Sequence, residues 1–408
     1  MKLYFDAYRG FPREVYFLFL AKLVNSMGMF IMPLLTLIMT QKLALTTDAA
    51  GKVAALLVLT QAPCVILGGK LADSIGRMKV MVGGSLGGAL FYLVCGCGLT
   101  GYAMLACIIL AADLISLTVP AAEALLADYT TPEQRQGAYS LLYLGGNIGM
   151  AVSPILGGLL FQRHLSLLFL LDGATTIAGV LILLLNVRER FARHPAETAA
   201  RQPTLRSALK AAPYIVGFAL LLFLYDFCYA QWSFLLPAEF GSRFGAGGAK
   251  LYSVLCSANA VTVIALTPLI TRLTHRLPPL RAIALAGALY AAAYLGFALA
   301  PAYGLLVVCG ELFTLGEICS TIQIGAFVST HIPAACLGRV TAFTTFVRGA
   351  AYAVGPLAMG GLLTFATYHA GWYITAGVVC CGGLGMVLLN RQVRAAEEFT
   401  FSDGKSEN

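Results

Sequence analysis

Long apolar runs, separated by short polar or glycine-containing breaks, repeat along the whole chain. Twelve runs stand out, near 14–38, 50–71, 78–99, 102–127, 137–161, 165–187, 213–238, 250–272, 280–300, 302–327, 339–364 and 369–390. Each has the length a helix needs to cross a hydrocarbon core, roughly 20 residues. A helix satisfies its own backbone hydrogen bonds in lipid, so each run is read as a helical span. The expected class is an all-α membrane protein of twelve transmembrane helices. The longest connection, 188–212, is charged and carries Pro195 and Pro203. It divides the chain into a six-helix bundle at 1–187, a cytoplasmic linker at 188–212, a second six-helix bundle at 213–390 and a cytoplasmic tail at 391–408.

Composition strengthens this reading. Of 408 residues, 59% are hydrophobic and only 11% are charged. Soluble domains carry about 25% charged residues, so a soluble enzyme is excluded. The formal net charge of +8 would allow a nucleic-acid partner, but the placement of the charges argues against one. Lys2, Arg9 and Arg13 precede the first span. Lys70, Arg77 and Lys79 sit between spans 2 and 3, and Arg188, Arg190, Arg193, Arg201, Arg206 and Lys210 between spans 6 and 7. Arg272, Arg276 and Arg281 lie between spans 8 and 9, and Arg391 and Arg394 follow span 12. The opposite connections are nearly bare. The positive-inside rule therefore places both termini in the cytoplasm of a multi-pass protein of the cell membrane, inner or plasma. The first apolar run is too long for a cleavable leader. Eleven cysteines fall mostly inside apolar runs without metal-ligand spacing, and no phosphate-binding glycine loop occurs. No cofactor and no metal are implied, and an ATP-driven pump is disfavoured.

The run Gly69-Lys70-Leu71-Ala72-Asp73-Ser74-Ile75-Gly76-Arg77-Met78-Lys79 is a short, charged, glycine-bounded connection, read as a loop closing an antiparallel hairpin. A shift of 202 residues lays Lys70-Leu71 on Arg272-Leu273 and Lys79 on Arg281. At nearly the same shift, span 5 (Gly149, Ser153, Pro154, Gly157, Gly158) meets span 11 (Gly355, Pro356, Gly360, Gly361). Two six-helix repeats follow, with a substrate site expected near the midplane and alternating access by rocking of the halves.

The pattern G-x-L-A-D-x-x-G-R-x-K resembles the signature loop between helices 2 and 3 of the major facilitator superfamily of secondary transporters. The resemblance covers essentially the whole chain. It implies the major facilitator fold of two six-helix pseudo-repeat halves, with spans 1, 4, 7 and 10 lining a central cavity. It also gives Gly69, Asp73, Gly76 and Arg77 a gating role, with Asp73 accepting from Arg77. Ala127-Asp128 with Thr130, Pro132-Glu133 and Arg135 resembles the loop 4–5 of facilitator-type exporters, which makes Asp128 and Arg135 gate or capping residues. Gly149, Pro154, Gly157 and Gly158 resemble the antiporter motif of drug/proton exchangers, with Ser153 where a glycine is expected; packing alone is the rival reading. The superfamily's arginine early in span 4 is missing, its place falling near Ile108.

An ionisable residue inside the membrane is a functional candidate by default. The candidates are Lys22 in span 1, Asp113 and Glu123 in span 4, Asp226 in span 7, Glu311 and Glu317 in span 10, and Arg348 in span 11. Lys22 and Asp113 are at similar depth and read as an ion pair. Tyr225, Phe227, Tyr229 and Trp232 surround Asp226 in sequence, a composition suited to a lipophilic cation. Leu315-Gly316-Glu317 resembles a multidrug/proton antiporter subgroup in which the glutamate binds protons and cationic substrate. Competition of a proton and a cation for one carboxylate suffices for antiport. Glu311 lies about 120° away around the helix and is the less favoured of the two. The expectation is a monomeric secondary transporter in the bilayer that exports a lipophilic cationic small molecule against protons. A lipid or metabolite carrier and a non-transporting membrane sensor are the alternatives.

Overall fold

The computed structural model describes residues 10–188, 214–274, 276–331 and 334–406. Among them there are helices and no strands. The first apolar run folds as α1 (Arg13–Met27) and α2 (Ile31–Leu37), which continues through a π-helical turn, Ile38–Lys42. Then come α3 (Thr47–Ile75), α4 (Arg77–Gly96), α5 (Gly101–Ser116), α6 (Thr118–Asp128), α7 (Pro132–Leu160) and α8 (Leu165–Asn186). The later part holds α9 (Tyr214–Tyr229), α10 (Leu235–Phe244), α11 (Gly248–Thr274), α12 (Pro279–Leu299), α13 (Tyr303–His331), α14 (Ala334–Leu362) and α15 (Tyr368–Ser406).

Among the described residues, ten helical stretches are long and apolar enough to cross a membrane. One of them, Tyr214–Thr267, runs for 54 residues and occupies the places of both span 7 and span 8. Span 11 falls on α14, which is not among the ten. Large exposed side chains such as Leu185, Leu299 and Leu384 suit contact with lipid tails rather than water. The linker predicted at 188–212 lies, beyond Arg188, outside the described residues.

Local chemistry sets the helix ends. The Thr46 hydroxyl accepts from the Ala49 amide at 3.2 Å and opens α3. Thr131 and Gln134 form a capping box at the start of α7, where Pro132 needs no partner for its missing N–H. The charged run Gly69–Lys79 corrects the expectation of a loop. It is helical on both sides of one residue, Gly76, whose φ of +107° ends α3 and starts α4 directly. Only glycine holds that backbone conformation without strain, which is why the turn needs no further residues.

The chain forms two compact units. The first comprises Met1–Pro195 with Leu236–Ile264, the second Ala196–Leu235 with Ala265–Asn408. In the first unit, Val15 and Leu18 of α1, Met78 and Met81 of α4, Leu125 and Leu126 of α6 and Leu141 of α7 share one buried apolar cluster.

The internal repeat has a structural counterpart in how two spans break. Between α1 and α2 the chain leaves helical geometry at Gly28–Phe30. The amides of Phe30 and Ile31 are met at 3.2 and 3.3 Å by one carboxylate oxygen of Asp172, a buried residue of α8. Asp172 thus caps α2 from another helix. The Ser153 hydroxyl of α7 donates to the Met29 carbonyl at 2.6 Å, so the serine that replaces a glycine of the antiporter-like motif closes the other side of the break. A shift of 202 residues carries Gly28 onto Ala230. There α9 passes through a 3-10 turn, Ala230–Trp232, before α10. A β-carbon at Gly149 of α7 would stand 2.4 Å from Ser26 Cβ and 2.7 Å from the Met27 amide nitrogen. One at Gly355 of α14 would stand 3.1 Å from the Phe227 carbonyl oxygen. In each unit a glycine lets a neighbouring helix press on the backbone just before the break.

Candidate functional site

The first unit encloses a cavity of about 360 Å³. Its walls come from α1, α4, α5, α6, α7 and α8, and are mostly apolar. Lys22 and Asn25 of α1, Glu123 of α6, Tyr139 and Tyr143 of α7 and Thr176 of α8 supply its polar positions. The Thr176 hydroxyl donates to Asn25 Oδ1 at 2.9 Å, and the Tyr139 hydroxyl to the Glu123 carbonyl at 3.2 Å. Both Lys22 and Glu123 are exposed. The Lys22–Asp113 ion pair expected from the sequence is not formed. The Asp113 carboxylate instead accepts from the Thr60 hydroxyl of α3 at 2.9 Å, and Lys22 looks into the cavity. Similar depth along two spans is therefore compatible with different neighbours around each helix.

In the second unit the candidate acids divide into two pairs. Both oxygens of Asp226 on α9 are taken by the Arg348 guanidinium of α14, at 2.6 and 3.1 Å. This fork holds the carboxylate in a bidentate charge-assisted pair. The sequence reading of Asp226 as an acid ringed by its own aromatic neighbours is corrected here. Tyr225 donates to the Ile283 carbonyl of α12, Tyr229 donates to Glu317, and Trp232 stacks on Phe313 with ring centroids 4.4 Å apart. Residues adjacent in a helix point in different directions, so they cannot all surround one of their number.

The aromatic rings cluster on Phe313 and Tyr229 instead, and reach the glutamate of α13 through the Tyr229 hydroxyl. The Tyr229 hydroxyl donates to Glu317 Oε1 at 2.7 Å. One turn earlier on α13, Phe313 packs against Tyr229 at 5.4 Å, Trp232 at 4.4 Å and Tyr290 at 5.0 Å. Tyr352 of α14, one turn beyond Arg348, meets Tyr229 edge-on at 6.1 Å. Both pairs draw one member from α9, and the other comes from α14 for Asp226 and from α13 for Glu317. Glu311 is half-buried, and its six-residue offset from Glu317 leaves it on another face of α13.

Two of the candidate gating residues meet. Arg77, first residue of α4 after the Gly76 turn, pairs with Asp128 at the end of α6 at 3.4 Å. The signature run and the 4–5 motif are therefore joined. The side chains of Asp73 and Arg135 lie outside the described residues. Gly69 faces Pro120 of α6, where a β-carbon would have room at 3.8 Å. At the other end of the first unit, Gln41 and Lys42 are tied to Gln162 and to the Gly245 carbonyl by hydrogen bonds of 3.0 to 3.4 Å. Of the antiporter-like motif, Gly149 presses on α1, Gly157 on Leu34 of α2 and Gly158 on Ser253 of α11, while Pro154 sits inside the unbroken α7.

Sequence reasoning missed Asp172, Thr60, Tyr352 and Glu239. The rule that singles out intramembrane acids flags Asp172 as readily as Asp113, and it alone would have found the cap. Glu239, buried in α10 with Arg243 one turn on at 3.8 Å, lies just past the predicted end of span 7.

Comparison with known proteins agrees with this architecture. The description of the Major Facilitator Superfamily matches residues 18–356. An uncharacterized MFS-type transporter of Bacillus subtilis, YhjO, is 24% identical over 271 residues, 66% of each chain. The multidrug resistance protein MdtH of Aeromonas hydrophila is 28% identical over 219 residues, 53% of each chain. The chain thus spans about half to two thirds of the length of the curated relatives it matches. Among solved structures, a POT family transporter bound to 5-aminolevulinic acid superposes with a TM-score of 0.77 at 13% identity, covering 95% of this chain and 98% of the other. The nucleoside transporter NupG superposes with a TM-score of 0.74 at 15% identity, covering 91% and 99%. The apolar helices make this an integral multi-pass membrane protein of transporter fold, not an enzyme, and the chain belongs to the Major Facilitator Superfamily.

Proposed function

We propose that this protein is a secondary active transporter that exports lipophilic small molecules bearing a cationic group in exchange for protons. It does so by alternating access, as a monomer of twelve spans with both termini in the cytoplasm. The observation that carries the reading is Glu317, an acid inside a span, hydrogen-bonded to the Tyr229 phenol and set beside Phe313, Trp232 and Tyr290.

A phenol donates to a carboxylate or to the carbonyl oxygen of a carboxylic acid, so the pair persists in both protonation states. Aromatic faces attract a lipophilic cation and offer it apolar contact. A proton and such a cation then compete for one carboxylate. Asp226, clamped by Arg348, holds α9 and α14 together and leaves Glu317 as the exchangeable acid. Asp113, in hydrogen bond with Thr60, is assigned a positioning role, and Glu311 a structural one. The gate is assigned to Arg77 and Asp128 at the Gly76 turn, with Gly69, Asp73 and Arg135 as its further members. Two relatives named as multidrug resistance proteins and the Gly149–Gly158 motif support the direction of export.

The test is purified protein in liposomes with an imposed pH gradient and tetraphenylphosphonium as cargo. Gradient-driven movement that is abolished in Glu317→Gln, with folding retained, is the expected result. No movement by folded wild type would sink the cation reading and turn the search to neutral, anionic or lipid cargo.

A further inference from the structure

The cavity in the first unit is lined by two opposite charges that have no ionic partner among the described residues. Lys22 on α1 and Glu123 on α6 both line it, and both are exposed. Among the described residues neither side chain makes an ion pair or a side-chain hydrogen bond. Every other candidate charge in the spans with a described contact has a protein partner: Asp113 has Thr60, Asp226 has Arg348, Glu317 has Tyr229. Charges inside a membrane pair with one another or face a water-filled space that a ligand enters. Here the lysine and the glutamate share the space and leave each other alone.

We infer that this cavity binds a compact amphipathic zwitterion, whose carboxylate meets Lys22 and whose ammonium meets Glu123 across an apolar body. The volume, about 360 Å³, falls at the small end of ligand pockets, roughly 300–1,000 Å³. Aliphatic walls such as Leu18, Val119 and Leu142 suit the apolar body. Asn25 and Thr176, already hydrogen-bonded to each other, add a fixed polar wall on the lysine's side. The inference goes beyond the reading of Glu317 as the exchangeable acid, because it gives the first unit a ligand site of its own.

Three probes on one aromatic frame test it: norfloxacin, which is zwitterionic, its methyl ester, which keeps only the cation, and its N-acetyl derivative, which keeps only the anion. Binding is measured on the full chain in lipid nanodiscs. Wild type is expected to bind the zwitterion about tenfold or more tightly than either single-charge analogue, the gain usual for a hydrogen bond to a charged group. Lys22→Met should lower the zwitterion to the level of the ester, Lys22→Arg should preserve it, and Glu123→Gln should lower it to the level of the N-acetyl form. Val119→Trp, which fills the cavity, should remove binding of all three.

Equal affinity of wild type for the three probes overturns the inference, and needs no variant to fold. Unchanged binding in Val119→Trp overturns the placement. The transport assay separates this from the proposed function. The charge-selective binding pattern without proton-driven flux of tetraphenylphosphonium sinks the exporter and keeps the site. Flux without charge selection does the reverse.

Discussion

The two units treat part of their intramembrane charge differently. The second unit gives its intramembrane acids protein partners, a guanidinium fork on Asp226 and a phenol on Glu317. The phenol ring belongs to a cluster of packed aromatic rings. The first unit leaves Lys22 and Glu123 facing a cavity, with no ionic partner among the described residues. A satisfied charge fixes a helix; an unsatisfied one waits for a ligand. Each unit also holds a break inside an apolar run, and that of the first is capped by a carboxylate from a distant helix.

The sharpest way to break this contrast is to remove one cation from each unit. Arg348→Met leaves Asp226 ionised and unpartnered, and should cost about 3 kcal/mol, the low end for a broken buried pair because the Arg348 side chain is 41% exposed. Lys22→Met orphans no protein group, and should change stability by less than about 1 kcal/mol. Thermal unfolding of both variants in the same detergent measures the difference. Equal losses would mean that Lys22 is a structural charge after all.

The glycines at the two bends come next. Gly149→Ala places a β-carbon against Ser26 and the α1 backbone, where nothing flexible can retreat, and should cost about 1–3 kcal/mol of overpacking. Gly355→Ala meets the end of the Gln231 side chain first, at 2.9 Å, and should cost less. The same unfolding assay tests the order, and a reversal would show that the second bend is the tighter one.

Much of this was legible in the sequence. Apolar runs of the right length gave the helices because lipid leaves the backbone no other partner. The signature run marked the α3–α4 turn because glycine and charge both belong at a membrane boundary. What the sequence could not show is which way a side chain points around its helix. Lys22 and Asp113 are level yet unpaired, and Asp226 sits among aromatics in sequence that turn to other partners in space. Direction around a helix depends on the crossing of neighbours, and one residue of phase is about 100°. Breaks inside an apolar run were also hidden. Neither Gly28–Phe30 nor Ala230–Trp232 interrupts hydropathy, and the cap on the first comes from a residue 142 positions away.

That cap sharpens the comparison at smaller scale. Asp172→Ala removes the acceptor of two amides at the start of α2 and should cost about 1–2 kcal/mol, as for other lost caps. Asp172→Asn keeps one acceptor oxygen and should cost about half of that. Hydrogen exchange should localise the loss to Phe30 and Ile31. Uniform exchange across α1 and α2 would mean that the carboxylate supports the whole span rather than its bend.

The smallest expected effect separates packing from exchange within the second unit. Tyr229→Phe keeps the ring against Phe313 and Tyr352 and deletes only the donor to Glu317. One hydrogen bond of this kind is worth about 1 kcal/mol, and the loss should be no larger. The acid itself remains, so proton-driven movement of tetraphenylphosphonium should persist at a reduced rate. Glu317→Gln should do the opposite, keeping the fold and losing the exchange, because the amide still accepts from Tyr229 but binds no proton. If Tyr229→Phe folds normally and yet exchanges nothing, the coupling unit is the hydrogen-bonded pair. The phenol would then have to be counted with the acid, and the second unit would no longer contribute a single exchangeable group.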